Sequence, residues 1–153
     1  MRHADHLLAR ILRKPELAGR LSLAQWDLLV RQARQAGLLG RLQDRFSTQT
    51  LSETIPGPAR WHFEAAATLA HKQQIAVRWE VGQIRAALAG LDVPLVVMKG
   101  AAYVMAGLPA ARGRLFNDID ILVPRGLLNR AEAALMLAGW HTTGLSAYDD
   151  RYY

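Results

Sequence analysis

Apolar positions recur at helical intervals through the first half of the chain and then break into short β-branched runs, so the pattern predicts helices first and a small sheet afterwards. Residues 6–13 read as a short helix that stops ahead of Pro15, since proline disfavours helix at the residue before it. Ser22-Leu23-Ala24-Gln25 has the spacing of a capping box, with the Ser22 hydroxyl set to accept an early N–H and Gln25 to reach back. Behind it Leu23, Trp26, Leu29, Val30 and Ala33 predict one buried face as far as Gly37, and residues 38–46 add a further turn or two of helix. The polar, proline-bearing stretch 47–58, with Pro56-Gly57-Pro58 as its firmest punctuation, reads as a linker.

Residues 59–88 hold no proline and many alanines, which predicts one long helix or two. Trp61, Ala65, Leu69, Ala76, Trp79 or Glu80, Ile84 and Leu88 trace an apolar stripe broken near Lys72, and on that stripe the aromatics are expected to be core anchors. Gly90 is the expected stop. From Val93 onward the reading is strand, helix from Gly100 to Gly107, loop over 110–117, strand over 119–123, helix over 125–138 and a third strand over 140–143. In the last of these helices Leu127, Leu128, Ala131, Leu135 and Met136 are expected on one face. The fold class is therefore α+β, a helical region followed by a small mixed sheet with packed helices. Three stretches follow: 1–57 as the helical region, 58–92 as the connecting helix and 93–153 as an α/β core.

Composition narrows the class without fixing it. Hydrophobic residues make up 51% and charged residues 21%, a globular and not a disordered balance. The lack of cysteine removes disulfides and thiolate zinc sites and gives no pointer to an oxidising compartment. His3 and His6 fit a solvated terminal pair better than a metal site. No window reaches the ~20 apolar residues of a membrane span, and the first residues lack the unbroken apolar core of a signal peptide, so a cytoplasmic protein is the expectation. Residues 1–57 carry nine Lys or Arg against five Asp or Glu, and the later stretches are nearly balanced. The formal charge of +6 thus sits mainly in the helical region, where its arginines fit solvated faces better than a nucleic-acid track; nucleic acid is not excluded.

The candidate chemistry lies in Asn117-Asp118-Ile119-Asp120-Ile121-Leu122-Val123-Pro124. Charges at the mouth of an apolar strand need a compensating partner, and a divalent cation is a natural one. Side chains two apart on a strand share a face, which would aim Asp118 and Asp120 the same way. Ahead of them Val93-Pro94-Leu95-Val96-Val97-Met98-Lys99-Gly100-Ala101-Ala102-Tyr103 runs from strand into helix with Gly100 at the junction. Free first-turn amides favour an anion there, the missing Cβ would permit close approach, and Lys99 adds a positive charge. The plainer alternatives are a solvated strand entrance for the aspartates, a turn glycine for Gly100, a strand-end lysine for Lys99 and ordinary loop charges for Arg112 and Arg114.

Strand, glycine turn, helix, loop and a strand bearing Asp-x-Asp together resemble the nucleotidyltransferase superfamily typified by DNA polymerase β. Within it Met98-Lys99-Gly100-Ala101-Ala102, Arg112-Gly113-Arg114 and Asp118-Ile119-Asp120-Ile121-Leu122-Val123 look most like a bacterial group of uncharacterised nucleotidyltransferases. The resemblance implies transfer of a nucleoside monophosphate from a nucleoside triphosphate to an acceptor hydroxyl. It implies Mg²⁺ or Mn²⁺ held by Asp118 and Asp120, the polyphosphate held by Lys99, Gly100 and Ala101, and charge neutralised by Arg112 or Arg114. The acceptor, whether small molecule, protein or RNA, is left open. Two departures stand out: Ala101 follows the glycine where the superfamily usually has serine or glycine, and no third carboxylate on a later strand is evident. Asp149 and Asp150 follow the third expected strand in a stretch that does not read as strand, and the chain is expected to be the front part of a longer protein. A nucleotide-binding or protein-interaction module that kept the fold without turnover is the alternative function.

Overall fold

The computed structural model describes residues 6–92 and 94–141. Within them six α-helices and a two-stranded antiparallel sheet follow the order α1 (Leu7–Arg13), α2 (Leu23–Gln35), α3 (Leu39–Thr48), α4 (Gly57–Leu88), β1 (Val96–Val97), α5 (Lys99–Met105), β2 (Ile121–Leu122) and α6 (Leu128–Leu137). Short 3₁₀ turns fill several of the joints. The helical start, the α+β class and most element positions agree with the sequence reading. The third strand does not appear at Trp140 and His141, and the rest of that stretch, with Asp149 and Asp150, lies outside the described residues.

The long helix α4 is the spine. Its 32 residues extend about 48 Å at 1.5 Å per residue. Proline at its first turn is well tolerated because the N–H it lacks would have no intrahelical partner, so Pro56-Gly57-Pro58 begins this helix. Three apolar clusters line up along it. Phe63 and Ala59 join α1, α2 and α3 around Ile11, Leu29, Leu42 and Phe46. Val77 and Val81 meet α5 through Ala101 and Val104, together with Ala111 and Phe116. Ile84 and Leu88 meet Ala131 of α6, with Ile119 and Ile121 beside them. In the first cluster Trp26, Phe46 and Phe63 form three edge-to-face pairs, with ring centroids 5.7 to 6.1 Å apart.

The stripe expected from sequence is buried at its end, at Ile84 and Leu88, and faces outward before that. Phe63, Ala70, Val77 and Ile84 recur every seven residues and are buried, whereas Trp61, Leu69 and Trp79 are 60, 54 and 65% exposed. A helix turns 100° per residue, so Trp61 and Trp79, eighteen positions apart, share one angular position, and here it faces outward. They are not core anchors. The same correction applies to Leu23, Leu128 and Met136, which are exposed while Trp26 and Ala131 on their helices are buried. The interval 47–58 is likewise not a loose connection, since Ile55 is buried and Leu51 packs against the first cluster.

Caps and stops follow the sequence more closely. The Ser22 hydroxyl accepts from the Gln25 N–H at 3.3 Å, and the Gln25 side chain accepts from the Ser22 N–H at 2.9 Å, completing the capping box. Gly37, Gly107 and Gly139 take left-handed φ after α2, α5 and α6. At the end of α4 the left-handed residue is Asp92, with φ +50°, and not Gly90.

Between α2 and α4, a guanidinium nitrogen of Arg34 lies 2.6 Å from His62 Nδ1. Burial, then the Arg34 charge, lower the His62 pKa from 6.5, against an opposing pull from Asp27. A lowered histidine pKa means that the unfolded chain binds more protons, so His62 stabilises fully above about pH 6.5 and loses that contribution as pH falls through its folded value. Denaturant titrations are expected to show stability falling from pH 7 toward acid with a slope that His62→Gln reduces. An unchanged slope in the variant would remove His62 as its source.

Candidate functional site

The turn from β1 into α5 sets the site. Val96 and Val97 pair with Leu122 and Ile121, and the Met98 N–H continues the ladder by donating to the Asp120 carbonyl at 2.9 Å. The chain then turns at Lys99, whose φ of +49° is a left-handed value that side-chain-bearing residues rarely adopt. Sequence reasoning gave this bend to Gly100, but Gly100 has an ordinary φ and its glycine is required for another reason. A Cβ built there would overlap the ring of Phe116. The Cα face that was expected to admit an anion is therefore closed by an aromatic ring, and both Gly100 and Ala101 are buried. With seven residues, under two turns, α5 carries little of a long helix's dipole.

Phe116 is itself fixed from α4. Gln73 takes the Phe116 N–H at 3.0 Å through its amide oxygen and donates its amide NH₂ to the Phe116 carbonyl, a two-point grip that resembles strand pairing. Gln74 donates to the Ala111 carbonyl at 3.0 Å. The loop is pinned at its other side by Arg41 of α3, which donates to the carbonyls of Pro109 and Arg112 at 2.8 and 3.0 Å. Gly40 and Gly113 lie so close that a Cβ on either would meet the other's backbone oxygen, and Gly113 also needs φ +63°. No motif in the sequence marks out Gln73, Gln74 or Phe116, and Arg41 reads there only as one of the arginines of a solvated helix face, whereas it here holds the loop. The seven-residue repeat of α4 was the available signal for the glutamines: Gln74 stands seven residues before buried Val81, and Gln73 stands three after buried Ala70.

Asp118 and Asp120 precede β2 and are not within it, because the strand is assigned only at Ile121–Leu122. Asp120 is tied to the junction twice. Its carbonyl holds the Met98 N–H, and its Oδ1 accepts from Lys99 Nζ at 2.9 Å. Asp118 is exposed and sits two residues from Asp120 and two from Phe116, both in contact with the 98–100 turn. Two residues span at most about 7 Å, so the Asp118 backbone stays near that turn. No side-chain hydrogen bond or ion pair of Asp118 occurs among the described residues.

The two loop arginines part company. The Arg114 guanidinium carbon lies 5.3 Å from the Phe116 ring centroid and 6.0 Å from that of Tyr103, so its charge is held between Tyr103 of α5 and the ring that packs on Gly100. Arg112 instead lines a cavity of about 300 Å³ between α3 and α4, with Asp44, His71 and Gln74. Among the described residues no hydrogen bond or ion pair joins it to Asp118 or Asp120.

Beside Asp118 opens a cleft of about 650 Å³ walled by α4, the segment before β2 and α6. Asp118, Asn117, Glu80 and Gln73 supply its polar groups, and Val77, Ile84, Ile121, Leu135 and Trp140 its apolar wall. Glu80 is a second carboxylate of this cleft; in sequence it was merely an alternative to Trp79 on the apolar stripe. Among the described residues no group of three or more acidic, histidine or cysteine side chains is placed to hold a metal. Asp118 and Asp120 offer hard carboxylate oxygens, a donor type that suits Mg²⁺ or Mn²⁺, and one of them, Asp120, is paired with the Lys99 ammonium.

A model of the uncharacterised nucleotidyltransferase family matches residues 22–153. Comparisons with curated proteins and with solved structures gave no match. No described helix is long and apolar enough to cross a membrane.

Proposed function

Because this chain belongs to the uncharacterised nucleotidyltransferase family, we propose that it moves a nucleoside monophosphate from a nucleoside triphosphate to an acceptor hydroxyl. A bond forms between the acceptor oxygen and the α-phosphorus as the bond from that phosphorus to pyrophosphate breaks, and the hydroxyl proton passes to a base or to solvent. The observation that carries this reading is the cation-bearing Asp120, fixed by backbone and side chain to the strand-to-helix turn with Asp118 two residues away. Bound there, Mg²⁺ or Mn²⁺ would supply positive charge to the attacking and departing oxygens.

Asp118 and Asp120 are the metal ligands in this account. Lys99 at the turn is the cation that meets the polyphosphate in this account, and Arg114, oriented by two aromatic rings, is the loop cation suited to neutralise it. Arg112 fits a structural role at α3 and α4 better. The acceptor occupies the cleft beside Asp118. Its described lining carries Glu80 and Asp118 and no Lys, Arg or His, which favours an uncharged or cationic acceptor over an anionic one.

A second reading is a nucleotide-binding module without turnover, and the two-carboxylate donor set among the described residues favours it. Titration calorimetry of ATP, CTP, GTP and UTP with and without Mg²⁺ tests both. At least one nucleotide is expected to bind more than about tenfold tighter with Mg²⁺, a gain lost in Asp118→Asn and Asp120→Asn. Binding indifferent to Mg²⁺ and to both variants would overturn the metal site. Mg²⁺-dependent binding without pyrophosphate release from any acceptor offered would select the second reading.

A further inference from the structure

We propose that Lys99 is a placeholder for the divalent ion: its ammonium occupies Asp120 when no metal is bound and must leave for the metal to enter. This rests on the metal reading of Asp118 and Asp120 and adds a coupling between metal and nucleotide. The geometry is specific. Lys99 Nζ is 2.9 Å from Asp120 Oδ1, so a divalent ion on that oxygen would stand against a second cation and compete with it. The contact is made from a residue held at φ +49°, and that backbone is costly for lysine. The Lys99 side chain is 67% exposed, so water can take up its ammonium as it swings away from Asp120.

Two consequences follow from charge alone. Metal entering without nucleotide meets a competing cation and binds weakly. A nucleoside triphosphate brings a polyanion that offers the displaced ammonium a new partner within side-chain reach, so nucleotide raises metal affinity more than its own phosphate ligands account for. The site thereby resists filling by free metal alone and fills as metal and nucleotide arrive together. Lys99 acts here as a positioning residue for the metal.

Mn²⁺ alone, titrated into the full chain and followed by the EPR signal of the free ion, tests this. Lys99→Met is expected to bind Mn²⁺ about tenfold tighter than the unaltered protein, from removal of one positive charge beside a divalent one in screened solvent. Lys99→Arg, which keeps the charge, is expected to stay near the unaltered value. With the nonhydrolysable ATP analogue AMPCPP added, the enhancement of Mn²⁺ affinity is expected to be smaller in Lys99→Met than in the unaltered protein. Equal or weaker Mn²⁺ binding by Lys99→Met, while Asp120→Asn abolishes it, overturns the placeholder and leaves the metal site intact. Mn²⁺ binding that survives Asp120→Asn, or none in any variant, overturns the metal reading and this inference with it.

Discussion

Asp120→Asn is expected to lower the rate of pyrophosphate release by on the order of 10²–10³-fold, the loss seen when one fixed electrostatic partner of a developing charge is removed. The side chain changes by one atom, and the Met98 N–H still finds the carbonyl at position 120, because that bond uses the backbone. The fold should therefore persist. The substituted amide would keep one neutral oxygen toward the metal and lose the charge that draws it, and the ion pair with Lys99 would go. Circular dichroism and the melting temperature should match the unaltered protein within a few degrees, while Mg²⁺ no longer alters nucleotide binding. Retained turnover in Asp120→Asn would contradict the assignment of this carboxylate. Full loss of fold would instead make it structural.

Gly100→Ala has the largest expected effect on stability, about 3 kcal/mol, or a fall in Tm of roughly 10 °C for a domain of this size. A methyl at this position enters the ring of Phe116, and that ring cannot retreat easily. Gln73 holds the Phe116 backbone at both its N–H and its carbonyl, and the Arg114 guanidinium stands 5.3 Å from the ring centroid. Shrinking the ring should relieve the overlap, so Phe116→Leu in the Gly100→Ala background is expected to recover at least half of the loss, although alone it costs stability by leaving a void. Additive losses in the double variant would mean that the two positions do not press on each other. The prediction also separates two roles for this glycine. Were it needed only for anion approach, alanine would weaken nucleotide binding and leave the melting temperature alone.

Local rules were legible in the sequence wherever a few adjacent residues decide the outcome. The Ser22 and Gln25 box, the stops at Gly37, Gly107 and Gly139, and the passage from β1 into α5 all belong to that kind. The Asp-x-Asp segment and the Lys-Gly turn were legible as a pair of motifs, and family membership agrees with the resemblance they carry. Reading failed where the answer depends on contacts distant in sequence. Alanine-rich α4 has little contrast between its faces, so the large residues Trp61 and Trp79 drew the stripe to the wrong side. Only its end, Ile84 and Leu88, was right; the interior before them is built from Phe63, Ala70 and Val77 with two glutamines beside them. The ion pair of Lys99 with Asp120 joins residues 21 positions apart and depends on a strand register that no local pattern dictates. Gly100 was found for the wrong reason, since turn and close packing both ask for glycine and only the position of Phe116 distinguishes them.

The central claim is that the side chains of Asp118 and Asp120 jointly bind a divalent ion at the β1–α5 turn. Anomalous diffraction from crystals grown with Mn²⁺ and a nonhydrolysable nucleoside triphosphate tests it most directly. The account predicts a manganese peak about 2.2 Å from a carboxylate oxygen of each aspartate, with Lys99 Nζ moved off Asp120 and onto phosphate. A peak bound to neither residue, or nucleotide phosphates seated away from the 98–101 turn, would contradict it.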